Sequence, residues 1–454
     1  MDAVEPFADY VADIKFSDLP DEVVENTKKF IIDTIGVGIA GLKSPGCPET
    51  LKTVKKWGGT KESTVLLSKY KCPAPWAAFV NSVFMHSLDF DDALDVSALH
   101  ANVSVLPAAL ALSESRQKTT GRDLICAVTV GQDVTCRIGS ALKRPLSWIR
   151  TATCGCFGAT AAAGKILRLE KEKMWDAFGI AYSQVSGNAQ CLLDGALVKR
   201  MQPAFAAKAA VVSSLLAQNG ITGTRNVLDG DYGFFKLYEG NEYDRDILLD
   251  RLGKDYKGME LSVKPYPCCR MTHASIDAAL QLRQDPQFKI SAIEEIHVRP
   301  SRMSTEMVGS PFRIRKNPQV DAQFSIPYTV AVALTKGDVF LEAFEEENVL
   351  SNKKLRALAG KVLVSADPSL ARRDIMHCRL EARMKGGRTI RAKVSAIRGN
   401  PLNPMNINDC MEKFRKCVSY SGQKISNEKI SDILNILSNL EDVKDLKQLT
   451  GLLA

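Results

Sequence analysis

The chain has 454 residues and a formal net charge of +8, from 60 lysines and arginines against 52 aspartates and glutamates. That length exceeds one ordinary hydrophobic core, so two domains are expected, and the basic residues are scattered without the long run that binds nucleic acid. No uninterrupted apolar stretch reaches the roughly 18 to 20 residues that span a membrane, and Asp2, Glu5 and Asp9 stand where a secretory signal would need a basic start, so no membrane partner and a cytoplasmic location are expected.

Residues 17 to 41 open on Asp18 and Pro20, a helix start, and repeat Val24, Thr27, Ile31, Thr34 and Ile35 on one face. Similar amphipathic patterns run through 75–86, 103–117, 121–142, 154–167, 173–186 and 204–219. The stretch CGCFGATAAAGKIL is nearly all small residues, which lets helix backbones approach closely. The texture then changes. IEEIHVRP (293–300) and KVLVSA (361–366) read as short strands, and 377–396 alternates on both sides of Gly386 and Gly387, the pattern of a hairpin with one wet face. Helical periodicity returns in 407–418 and 426–453. The expected fold is mainly α: a large helical domain made of 1–258 and 397–454, with a smaller α+β domain, 259–396, inserted between them. Clefts between such domains are common ligand sites.

Of the 12 cysteines only Cys154/Cys156 and Cys268/Cys269 cluster, without the spacing of a structural zinc site. They are expected to be small buried side chains in a reducing compartment.

Among the five histidines, His297 and His377 sit inside strand patterns and read as structural. The other three fall in polar contexts. HSLDFDDALDVSALHANVSVLP (86–107) places Asp89, Asp91, Asp92 and Asp95 between His86, at the end of one helix, and His100, before the next. The acidic residues could cap helix ends. The spacing of a calcium loop is absent and the two histidines stand far apart in the chain, so no metal is expected. A carboxylate-oriented histidine acting as proton carrier is the remaining use. DGALVKRMQPAFAAKAA (194–210) sets Lys199 and Arg200 before Pro203 and a helix start, a place suited to an anion. SVKPYPCCRMTHASIDAAL (262–280) starts a helix at His273, which disfavours the cationic imidazole. DAQFSIPYTVAVAL (321–334) carries Tyr328 into an apolar helix.

Taken in order, HSLDFDD with its following histidine and VLPAALAL, then TATCGCFGATAAAGK, VKRMQPAFAAKAA, KPYPCCRMTHASIDAA and DAQFSIPYTVAVAL resemble the MmgE/PrpD family along essentially the whole chain. The resemblance implies a helical domain completed by the C-terminal helices, an α+β lid domain, and a homodimer that needs no cofactor. It also implies action on small di- or tricarboxylates, as in 2-methylcitrate dehydratase, cis-aconitate decarboxylase and iminodisuccinate epimerase. Asp89, His100, Lys199, His273 and Tyr328 match the family's functional positions. Three positions depart from it: Ala93 replaces a threonine or serine, Ile149 with Arg150 replaces His-Pro, and Gln202 replaces a histidine.

The expected chemistry is removal of a proton next to a substrate carboxylate. His100 or His273 serves as base, oriented or charged by Asp89, and Lys199 and Arg270 stabilise the enediolate, with Lys264 as a further cation. Arg150 and Arg200 bind other carboxylates, and Tyr328 hydrogen-bonds a carboxylate or the leaving group. Loss of hydroxyl makes the enzyme a dehydratase-type lyase. Return of the proton on the other face makes it an epimerase. A carboxylate-binding protein without turnover is the third expectation.

Overall fold

Each long apolar-periodic segment folds as a helix in the computed structural model, which describes every residue except Met1, Gln117 and Lys316. The first long helix, Asp21–Gly41, begins after Pro20 with Asp21 and Glu22 at its positive end, and it buries Val24, Thr27, Ile31, Thr34 and Ile35 as the spacing predicts. The expected 103–117 segment forms Asn102–Ser115, and its last residue, Gln117, lies outside the described residues. All 12 cysteines are buried.

The chain divides into two units, Met1–Val263 with Asn406–Ala454, and Lys264–Met405. The first is built around Arg150–Leu167, the small-residue helix, which packs against Asn102–Ser115, Gly121–Ala141 and Gln202–Gln218. Its glycines are what allow the approach. A Cβ on Gly131 would lie 2.8 Å from the Gly158 carbonyl oxygen, and one on Gly158 would strike the Gly131 carbonyl and the Thr135 hydroxyl. This unit is not wholly helical: β1 (Ser63–Val65) and β2 (Tyr70–Cys72) form an antiparallel hairpin too short to show periodicity in sequence.

The second unit starts at Lys264 and ends at Met405, where 259 and 396 were expected. Ser262 belongs to the first unit because it exchanges backbone hydrogen bonds with Ala93, whereas Ile397 is buried in the second unit's core. Here β3 (Ile293–Arg299), β4 (Val362–Val364), β5 (Cys378–Met384) and β6 (Thr389–Val394) form one sheet in the order β4-β3-β5-β6. The β5–β6 register pairs Cys378 with Val394 and Arg383 with Thr389, turning through Gly386 and Gly387 at φ +88° and +84°. Cys378, Leu380, Ala382 and Met384 face helix His273–Arg283, as the alternation required.

Candidate active site

The helix Ala74–His86 is started by a proline in its first turn and delivers His86 at its last. It ends against Gly41, where a Cβ would collide with the Phe84 carbonyl. Asp89 then takes φ +54°, a left-handed conformation that its short polar side chain tolerates at modest cost. Further on, Ala93 and Ser262 exchange backbone hydrogen bonds of 2.9 and 2.8 Å, and Leu94 pairs with Leu99 around Ala98 at φ +53°. The Ser97 hydroxyl donates to the Gly139 carbonyl at 2.7 Å, and the His100 amide donates to Thr151 Oγ1 at 3.3 Å. Lys413, from helix Ile407–Ser421, donates to the Phe90 carbonyl at 2.8 Å, lies 3.7 Å above the Phe90 ring and pairs with buried Asp33 at 2.7 Å. The loop from 87 to 101 is therefore tied down at several points by main-chain and buried polar bonds.

Inside it sits a polar cluster. Asp92 accepts from the amides of Ala101 at 2.8 Å and Asn102 at 3.1 Å, capping the helix Asn102–Ser115. Burial, reinforced by the charge of Asp91, pushes its carboxyl up to about 6. Asp91 Oδ2 lies 2.9 Å from His86 Nδ1 and 3.1 Å from His100 Nδ1. Burial alone would raise the Asp91 carboxyl, but the two histidines hold it well below the usual carboxylate range. His86 is wholly buried, and desolvation together with the charge of Lys199 pushes it down to about 4 against the pull of Asp91. At neutral pH His86 is thus uncharged, with its proton on Nδ1 facing an ionised Asp91.

His100 Nδ1 also bonds the Asp92 carbonyl at 2.5 Å. A carbonyl only accepts, so the proton of neutral His100 is on Nδ1 and Nε2 keeps a lone pair. The His100 side chain is 14 % exposed while those of His86 and Asp91 show no exposure. Of these three groups, His100 is the one through which a proton can reach a small molecule.

Lys199 lies in the turn Leu197–Met201, directly before helix Gln202–Gln218. Its Nζ is 3.5 Å from Asp89 Oδ1, with the two side chains 29 % and 17 % exposed. The structure therefore brings together Asp89 and Lys199, and its charge reaches His86, so the pair borders the histidine cluster. A half-exposed cation beside the positive end of a helix is an anchor for a carboxylate.

In the second unit, Arg270 opens the turn that leads into His273–Arg283. Its Nη1 is 3.1 Å from His273 Nδ1, and His273 Nε2 is 3.3 Å from the Cys268 carbonyl. A guanidinium only donates, so His273 carries its proton on Nε2, the opposite tautomer to His100. Lys264 is buried at the start of this unit. Tyr328 is buried between Phe312 and Phe344 and donates its hydroxyl to the Ala343 carbonyl at 2.7 Å.

Models of the MmgE/PrpD N-terminal domain and of the MmgE/PrpD C-terminal domain match residues 5–246 and 266–439. The chain belongs to the MmgE/PrpD family. Curated relatives include cis-aconitate decarboxylase of Homo sapiens, 28 % identical over 99 % of this chain and 94 % of that one. The cis-aconitate decarboxylases of Mus musculus and Aspergillus terreus are 28 % and 27 % identical, over 99 % and 98 % of this chain and 93 % and 94 % of theirs.

Three residues expected to meet substrate are held by this MmgE/PrpD chain itself. Arg150 is buried, its guanidinium donating to the Arg144 carbonyl at 2.6 Å and to the Ser97 carbonyl and hydroxyl at 3.4 Å. Arg200 donates to the Pro45 carbonyl at 2.7 Å. Tyr328 is a core tyrosine, its hydroxyl raised out of its usual range by burial. At the departures from the family pattern, Ala93 contributes its backbone, Ile149 is buried with Ala152 and Cys191, and the Gln202 amide donates to the Asn188 carbonyl at 3.1 Å. Conversely, His86 and Asp91 were not singled out as site residues. Their signal was present in the sequence, as two histidines bracketing an acidic run, but the distance between them along the chain hid the contact. No described helix is long and apolar enough to cross a membrane.

Proposed function

We propose that this protein is a cofactor-independent, dehydratase-type lyase acting on a small di- or tricarboxylic acid, with His100 moving the proton on the carbon next to a carboxylate. The observation that carries the reading is the His100 imidazole, fixed through Nδ1 so that Nε2 keeps its lone pair, in a side chain that is 14 % exposed. Its relationship to proteins named cis-aconitate decarboxylase supports a polycarboxylate substrate. Lys199 would hold a substrate carboxylate, and Asp89 would keep the ammonium in place. Nε2 takes the proton as the C–H bond breaks and its electrons enter the enediolate. The resulting imidazolium rests on ionised Asp91. As the electrons return, the C–O bond breaks, and the departing hydroxyl leaves as water with the proton from His100.

The test is incubation with citrate, 2-methylcitrate, malate, cis-aconitate and aminosuccinate in deuterated water, followed by NMR. Loss of water from one of them, with His100→Gln slower by about 10²- to 10⁴-fold, is expected. No product and no solvent exchange with any of them refutes the reading. Epimerisation of a succinate-like acid is the second reading. Ala93 offers no hydroxyl and buried Ile149 no proton, so fewer groups are at hand to protonate a leaving hydroxyl. In that case deuterium enters the substrate with inversion and no alkene forms.

A further inference from the structure

We infer that His86 is a positioning residue for His100: its Nδ1–H fixes the Asp91 carboxylate oxygen that faces His100 Nδ1, and it does so without cancelling the carboxylate's charge. This rests on the reading of His100 as the proton carrier. The argument begins with Asp91, whose Oδ2 is met by the two histidines at 2.9 and 3.1 Å while its Oδ1 is buried without a hydrogen-bond partner among the described residues. Among the described residues no lysine or arginine pairs with it. The histidines alone set the rotation of this carboxylate.

The choice of histidine over a permanent cation has a chemical consequence. A lysine or arginine in place of His86 would orient Asp91 equally well but would neutralise it, leaving little negative charge to support an imidazolium at His100. Buried His86 stays neutral, kept so by desolvation. It donates one proton to Asp91, and its own Nε2 lies buried with no partner among the described residues. That unsatisfied nitrogen is costly to bury, and a leucine or phenylalanine would carry no such nitrogen. The rings of His86 and His100 are 5.1 Å apart, so the relay from His86 through Asp91 to His100 is compact, and His86 itself has no exposed atom with which to touch a substrate. Its effect must pass through Asp91.

The experiment compares His86→Asn, which places an amide N–H where Nδ1 was, with His86→Gln, which places one where Nε2 was, and with His86→Leu, which has none. ¹⁵N NMR of the five histidine side chains reads which ring nitrogen carries the proton. In the unaltered protein His86 and His100 are expected on Nδ1 and His273 on Nε2. The Asp92 carbonyl keeps His100 on Nδ1 in every variant, so the readout is the ¹H resonance of that Nδ1–H, expected to stay in place in His86→Asn and to move in His86→Gln and His86→Leu as the Asp91 carboxylate turns away from it. On an acid that the protein turns over, kcat is expected to fall about tenfold in the latter two, part of the about 10²-fold or more that a general base contributes, with KM within about twofold and with His86→Asn close to the parent. An unmoved His100 Nδ1–H resonance in whichever of His86→Gln and His86→Leu folds overturns the inference, as does a loss confined to KM. If no acid is turned over, the proposed function fails, while the NMR comparison still decides the role of His86.

Discussion

Replacing Lys413 with methionine should damage both the stability of the first unit and the loop that carries His100. The Lys413 ammonium is 2.7 Å from Asp33, and the side chains are only 5 % and 0 % exposed. Taking away one partner leaves a carboxylate charge in the interior, a change that costs about 3–5 kcal/mol. The ammonium also sits over the Phe90 ring and bonds its carbonyl, contacts that methionine cannot replace. In a unit of this size each kcal/mol moves the midpoint by about 1–2 °C, so the first unit should melt about 5–8 °C lower. Calorimetry is the suitable assay because two units need not unfold in one transition. Removing both charges in Asp33→Leu with Lys413→Met should recover most of the loss, since a buried pair exchanged for apolar groups is often near neutral. A single variant that melts within about 2 °C of the parent, or a double variant no better than the single, refutes the account.

Gly158→Val should destabilise the first unit by about 1–3 kcal/mol, read as a lower urea midpoint, because the added carbons meet the Gly131 carbonyl and the Thr135 hydroxyl on the neighbouring helix. Two buried groups should tilt the acid stability curve in opposite directions. His86 is lowered from 6.5 to about 4, so its contribution is present above pH 6.5 and is lost as the pH falls through 4. At about 1.4 kcal/mol per unit this is about 3 kcal/mol, and His86→Asn should lose less stability than the parent over that window. Asp92 is raised from 3.8 to about 6, so its contribution is present below pH 3.8 and is lost as the pH rises through 6. Asp92→Asn, compared with the parent by urea unfolding, should therefore gain relative stability between pH 4 and pH 7; a constant difference across that range would contradict the burial argument.

What could be read from sequence was what repeats. Helices such as Ile407–Ser421 and the hairpin across Gly386 and Gly387 declare themselves because burying one face imposes a period on the residues. The hairpin of β1 and β2, three residues a strand, has no room for a period. The location of Asp89, His100 and Lys199 was legible through motifs, but the fate of a charged side chain was not. Arg150 reads like a substrate anchor, and its guanidinium donates to the Arg144 and Ser97 carbonyls, acceptors that leave no mark in the sequence, as well as to the Ser97 hydroxyl. Tyr328 shows the same limit, since its hydroxyl partner is the main chain of Ala343. The contact from Lys413 to Phe90 joins residues 323 positions apart, and nothing local to either announces it.

That last contact also orders events during synthesis. The ribosome completes the loop from 87 to 101 early, then makes the whole of Lys264–Met405, and only afterwards the helix that carries Lys413. Until then Asp33 is waiting for its cation and the Phe90 carbonyl for its donor. A nascent chain can fold the small-residue helices and even the second unit while the loop from 87 to 101 is held at Ser262, Gly139 and Thr151 but still lacks its bond to Lys413. The Lys413 tie to the loop that carries His100 comes only with helix Ile407–Ser421, and a chain released before residue 413 would resemble the longer one over most of its length while lacking that tie.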